Sequence, residues 1–431
     1  MKIDQQIYAA NNGISSIEFS KYFYMLMLFL WCAYTAPFLK PFDSKYLLSS
    51  ILYATIYFVY FYKYCLDKSN KPLIMLLLIF GCWYVAQCIK FGGLTSIDFR
   101  LVYSVVLCHI SFYLYKGKEF FLYFEKVLVH LTILSLVVWL MAIFIPSEMK
   151  KLFDVISVWT NGYTTYGNII VVALGNQYSM GILRNIGFTW EAGRFASFLV
   201  IGIFFNLLLH NMQLKRNTNF MILFLGLIST FSTTGVGALI GAILLWLRNQ
   251  GAGIRSMFIA AMLCLIIPLM WDLEFVGGKI QDSADVEKEL HNMHYSFEQD
   301  GKTLICPQRI TGLYLEFQNW IHDFWLGYNL NENSYSQKVL FGGFEVWLSN
   351  GLIQIFSKYG LFIGLLFYFL MMKGSKYIIQ SFNRKGLYLY AFTFVLLSIS
   401  YDFWASGIFL YFNLYWLYAK LEPKCTINII D

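Results

Sequence analysis

Long apolar runs recur through this chain, and no other feature constrains its fold so tightly. They lie near 22–39, 45–64, 72–89, 99–115, 127–145, 193–210, 219–232, 234–248, 255–271, 352–372, 386–401 and 403–419. Most are long enough to cross a hydrocarbon core as a helix. Backbone N–H and C=O groups in lipid must be satisfied within the segment, which leaves the helix as the structure for such runs. Only 13% of the 431 residues are charged and mean hydropathy is +0.57, against about 25% charged in soluble domains. A water-soluble globule is therefore excluded. The expectation is an all-α polytopic membrane protein with about twelve transmembrane helices.

Charge orients the crossings. With the N-terminus inside, twelve crossings put 18 of the 32 basic residues in cytoplasmic segments, among them Lys63, Lys68, Lys116, Lys215, Arg216, Arg248, Lys385 and Lys420. The uncharged run 219–248 would span about 45 Å as one helix, too long for a core of about 30 Å. Its small, polar middle, Ser229 to Gly237, suits a break between two short crossings. The first 20 residues are polar, and the run after Lys21 lacks a cleavage site, so that segment is expected to stay as a helix.

Two long loops fall on the opposite face, near 146–192 and 272–345. The second holds twelve acidic and five basic residues. The chain's net +7 thus reflects membrane orientation and gives no support for nucleic-acid binding. The domain reading is 1–271 with nine crossings and the loop near 146–192, then 272–345 as a large, partly helical loop, then 346–431 with three crossings. Eight cysteines show no CxxC pair and no Cys/His ligand spacing. No structural disulfide, metal or cofactor is expected.

Candidate chemistry sits in two stretches. In "RNIGFTWEAGRFASFL", Arg184, Glu191 and Arg194 stand at the mouth of a run that reads as a lipid-facing helix. Glu191 and Arg194 share a face if the helix includes both, and Arg184 joins them if it extends two turns back. The plain reading is a snorkelling arginine with a glutamate partner. The sharper one is a seat for a lipid phosphate, which the planar arginine fork suits. In "RITGLYLEFQNWIHDFWLGYN", Arg309, Leu313, Glu316, Trp320 and Asp323 recur at helical spacing. Thr303 or Pro307 suits the start of that helix and Gly327 its end. His322 is a candidate general base near neutral pH, weighed against an ordinary structural histidine. Lys358, in the entry to the tenth crossing, reads as a snorkelled lysine. His109 and His130 read as polar glue between helices. No ladder of acidic residues runs through the bilayer, as a proton-coupled transporter would often carry.

Taken in order, "RNIGFTWEAGRFASFL", "STFSTTGVGAL", "RITGLYLEFQNWIHDFWLGYN" and "NGLIQIFSKYGLFIGLL" resemble the corresponding segments of Wzy-type O-antigen polymerases, in the O-antigen polymerase/ligase superfamily. The ligases of that superfamily carry a His just before the Asn that enters the tenth helix. Ser349 precedes Asn350 here, which favours the polymerase and leaves the base open. The resemblance implies a GT-C-like, metal-independent glycosyltransferase of the bacterial inner membrane, with both termini cytoplasmic and the large loop periplasmic. Its donor and acceptor would be oligosaccharides on undecaprenyl pyrophosphate. Its other partners would be membrane lipids and a chain-length regulator protein. Arg194 and Arg309 would bind pyrophosphate, and Arg184 and Glu191 would shape that seat or the acceptor site. An O-antigen ligase, or a flippase or transporter of the lipid-linked oligosaccharide, stands as the alternative.

Overall fold

The computed structural model describes residues 17–30, 59, 61–63, 69–94, 99–156, 167–169, 171–174, 178–179, 181–250, 286–300, 304–305, 307–328, 334–340, 345–346, 348 and 350–421. In chain order the helices are α1 (17–30), α2 (Lys71–Phe91), α3 (Phe99–Leu114), α4 (Glu119–Phe144), α5 (Pro146–Ile156), α6 (Ala192–Leu209) and α7 (Thr218–Ser229). They continue with α8 (Thr233–Asn249), α9 (Val286–Asp300), α10 (Arg309–His322), α11 (Tyr335–Leu340), α12 (Gly351–Ser381), α13 (Leu389–Ser398) and α14 (Gly407–Leu421). Short strands pair as hairpins β1–β2 (Gly167–Ile169, Val172–Leu174) and β3–β4 (Tyr178–Ser179, Ile182–Leu183), and as the parallel pair β5–β6 (Leu304–Ile305, Glu345–Val346). Among the described residues, α2, α4, α6 and α12 are long and apolar enough to cross a membrane. The expected crossing at 255–271, most of 45–64 and the second half of 22–39 lie outside the described residues. The chain divides into two compact units, one from Met1–Ser69, Leu107–Phe231 and Glu422–Asp431, the other from Asn70–Val106 and Ser232–Leu421.

In the first unit α6 is the core. The sequence suggests that it faces lipid, but 94% of its most apolar window is buried inside the protein. Apolar composition does not separate the two cases, because lipid tails are as apolar as leucine. Small residues permit the packing. Gly202 of α6 lies against Leu128 of α4, and Gly226 of α7 against Thr132 of α4 and Leu199 of α6. Helix α4 carries an open apolar stripe of Ile133, Leu134, Val137, Leu140 and Met141 and buries Phe121, Phe124, Leu128 and Thr132. Tyr22 on α1 and His130 on α4 share a hydrogen bond of 2.8 Å.

In the second unit α12 departs from the expected crossing at 352–372. At Gly360 the backbone takes φ 78, ψ −178, and the helix folds back on itself. The Tyr368 hydroxyl donates to the Leu352 carbonyl at 2.6 Å, and the Phe356 and Tyr368 rings stack at 5.4 Å. Sixteen residues of straight helix would separate Leu352 from Tyr368 by about 24 Å. The segment after the turn, 361–381, is about 31 Å long, and 351–359 is a separate short helix lying beside it. Downstream, α14 begins at Gly407 after a 3-10 turn at Phe403–Ala405.

Candidate functional site

Each unit carries one of the stretches singled out by sequence. In the first, α6 begins only at Ala192. Glu191 is its extended N-cap residue, with φ −145 and ψ 137, and its carbonyl accepts from Arg194 N and Phe195 N. Arg184 therefore does not lie on the helix with Glu191 and Arg194. It follows strand β4, and its Nε donates to the Thr230 carbonyl at 2.9 Å. The residue that fixes this turn is Asn185, which is 1% exposed. Its Nδ2 donates to Ser229 Oγ at 3.0 Å and Ser135 Oγ at 3.3 Å, while its Oδ1 accepts from Gly187 N at 2.9 Å. Arg194 is buried at 4% exposure, its guanidinium 5.9 Å from the Trp190 ring. Arg184 and Glu191 stay half-buried.

The second unit carries the more complete arrangement. Helix α10 runs beside the 351–359 segment in the same direction. Both begin at the turn between α13 and α14, where Gly351 abuts the Tyr401 carbonyl. The Asn350 side chain caps its own helix, accepting from Leu352 N and Ile353 N, and donates to the Ile399 carbonyl at 3.0 Å. The N-terminus of α10 is held by Glu289 of α9, which accepts from Gln308 N at 2.7 Å and from the Thr311 hydroxyl. Arg309, the first residue of α10, donates to the Ser400 carbonyl at 2.9 Å and to the Tyr401 hydroxyl at 3.3 Å, with its guanidinium 4.8 Å from the Tyr401 ring.

At the other end the two helices interlock. Leu361 N donates to the Phe324 carbonyl and Tyr328 N to the Ser357 carbonyl, both at 2.9 Å. Gly327 (φ 77) and Gly360 (φ 78) make this fit possible. A Cβ on Gly327 would stand 2.3 Å from the Lys358 carbonyl oxygen, and one on Gly360 2.1 Å from that of Trp325. Trp83, Gln87 and Lys90 of α2 clamp the same turn, through the Leu326 and Gly327 carbonyls and a 2.7 Å ion pair from Lys90 to Asp323.

Glu316 turns inward. It is 2% exposed and accepts from the Ser357 hydroxyl. Burial pushes its carboxyl up from the ordinary value, against the opposing pull of Ser357, the Lys358 charge, Asn319 and Gln354. It joins α10 to the 351–359 helix. Asp323 is likewise engaged: one oxygen takes Lys90 and the other His322 Nδ1 at 3.0 Å. The His322 ring is exposed and stacks on Tyr335 at 4.6 Å. The 14 residues of α10 set His322 about 20 Å along the axis from Arg309. The Arg309 guanidinium, meanwhile, is turned onto Ser400 and Tyr401. No group of histidine, cysteine and carboxylate side chains suited to a metal occurs among the described residues.

The sequence does not reveal the roles of Asn185, Tyr401 or the Glu289 cap, because each acts on a partner remote in sequence. Lys90 had a signal, since Trp83, Gln87 and Lys90 recur at i, i+4 and i+7 on an otherwise apolar helix. Comparison with family models, with characterised proteins and with solved structures finds no match to this chain.

Proposed function

We propose that this chain is a polytopic glycosyltransferase of GT-C-like, twelve-helix architecture. It would polymerise oligosaccharide repeat units carried on undecaprenyl pyrophosphate, at the periplasmic face of a bacterial inner membrane. In this reaction the bond from the sugar's anomeric carbon to the pyrophosphate oxygen breaks. A bond from that carbon to a hydroxyl of a second lipid-linked unit forms, and the hydroxyl proton leaves to solvent or to the departing pyrophosphate. The charge that develops on the leaving pyrophosphate needs fixed cationic donors, which arginine supplies without a metal.

The observation that carries the reading is the setting of Arg309. Its guanidinium and the N-termini of two helices, α10 and 351–359, meet at one turn between membrane helices. Helix N-termini favour anions; Glu289 and the Asn350 side chain already cap these two, so the cation offered to a pyrophosphate at this turn is Arg309. We assign Arg309 to the leaving pyrophosphate; Arg194, with Arg184 near it in sequence, is a second candidate for binding a lipid phosphate.

The test is a reconstitution of purified protein in liposomes with its lipid-linked repeat unit. A ladder of products supports the polymerase. The unit appearing in the opposite leaflet with no ladder identifies a flippase, and transfer to lipid A core without polymer identifies a ligase.

A further inference from the structure

Helix α5 follows α4 after a single residue, and it has two apolar faces. One is buried: Met149 and Phe153 pack with Ala142, Leu174 and Leu183. The other is open, with Leu152 at 42% and Val155 at 81% exposure. That open face continues the open apolar stripe of α4 through Leu140 (43%), Phe144 (78%) and Ile145 (42%). Ser147, Lys150, Lys151 and Asp154 fall on the remaining side by helical spacing. Glu148, one turn before Leu152, heads the open face in the first turn, its carboxylate held by the Ser147 hydroxyl at 2.6 Å.

We propose that α5 lies in the membrane surface, with Leu152 and Val155 in the acyl region and Lys150 and Lys151 at the phosphate level. Water on the open face would hydrate large apolar side chains at a cost of about 25 cal/mol per Å², at the point where the adjoining α4 presents its own open apolar stripe. An amphipathic helix of this kind settles about 5–10 Å into the boundary between headgroups and acyl chains, with its lysines reaching outward. The consequence is positional. The cluster on its buried face includes Leu183, whose carbonyl accepts from Trp139 Nε1 at 2.6 Å, and Leu183 leads directly into Arg184. Ala173, one residue before Leu174, donates its N–H to Gly187 at 2.7 Å. An α5 seated on the bilayer thus fixes the depth of the Arg184 turn at the level of lipid headgroups. This inference stands independently of the reaction proposed above.

The test uses the full chain in nanodiscs of phosphatidylethanolamine and phosphatidylglycerol. A nitroxide is attached through an encoded azido side chain at position 155, and separately at position 150. Collision with oxygen, which concentrates in lipid, is compared with collision with a water-soluble nickel chelate. The expected result is an oxygen-to-chelate ratio several-fold higher at 155 than at 150, with both variants eluting as the unlabelled protein does. Equal chelate access at the two sites would place the open face in water. Exclusion of both probes at 155 would mean that protein, such as a second copy of this chain, covers it. Either result overturns the proposal.

Discussion

Gly360→Ala perturbs the joint on which the Arg309 arrangement rests. The residue sits at φ 78, ψ −178, a region occupied almost only by glycine, and a side chain there costs about 2 kcal/mol in backbone strain. The added Cβ also meets the Trp325 carbonyl oxygen at 2.1 Å. That oxygen is backbone, so relief requires the 324–328 turn to withdraw. Withdrawal breaks the Leu361–Phe324 and Tyr328–Ser357 hydrogen bonds, worth about 1 kcal/mol each. The total is about 4 kcal/mol. At 2–4 °C per kcal/mol for a unit of 150–250 residues, the unfolding midpoint should fall by about 8–16 °C. The assay is thermal unfolding in detergent followed by intrinsic tryptophan fluorescence, since Trp83, Trp320 and Trp325 surround the joint. Gly81→Ala is the control, because its Cβ would meet nothing within 4 Å in mid-helix, and it should gain up to about 1 kcal/mol. A Gly360→Ala protein as stable as wild type, or a Gly81→Ala protein equally damaged, would refute the interlock.

Further outcomes follow from the same contacts. Glu316→Gln should flatten the pH dependence of stability. A carboxyl whose folded value is raised keeps its full contribution below the ordinary value near 4.5 and loses it as pH rises toward the raised one; melting curves from pH 4 to pH 8 read this directly. Glu316→Ala, which leaves the Ser357 hydroxyl only the Gln354 carbonyl as acceptor, should cost about 0.5–1.5 kcal/mol in the same melts. The Lys90–Asp323 pair is partly exposed, so a double-mutant cycle with Lys90→Met and Asp323→Asn should return a coupling of about 1 kcal/mol or less. Arg309→Lys should fail to restore polymer in the liposome reconstitution, because a lysine cannot reproduce the planar fork that spans Ser400, Tyr401 and a phosphate.

What the sequence made legible was the helical membrane class and the stretches that carry charge. Hydropathy reads composition along the chain, and composition located α2, α4, α6 and α12. It does not read the partner surface, so α6 looked like a lipid-facing helix although it is the core of its unit. A run of apolar residues also hides a reversal within it: Gly360 lies in a stretch that scores as continuous helix, and only the Trp325 carbonyl, some 35 residues upstream, reveals why glycine is needed there. Helical spacing put Arg309 and Glu316 on one helix, with Asp323 as its C-cap residue. It did not tell which way Glu316 points, because that depends on Ser357 and Gln354 in a different helix. The turn holding Arg184 was equally hidden, since the hydrogen bonds of Asn185 reach Ser135 and Ser229, each more than 40 residues away.

The central claim is that the Arg309 end of α10, and not the His322 end, holds the pyrophosphate at the bond being exchanged. Single-turnover transfer between lipid-linked units in liposomes, with Arg309→Ala and His322→Ala measured side by side, tests it most directly. The account predicts that Arg309→Ala slows transfer by about 100-fold or more, as loss of a preorganised donor to a developing anion does, while His322→Ala stays within a few-fold of wild type. Transfer that survives Arg309→Ala and collapses with His322→Ala would contradict it.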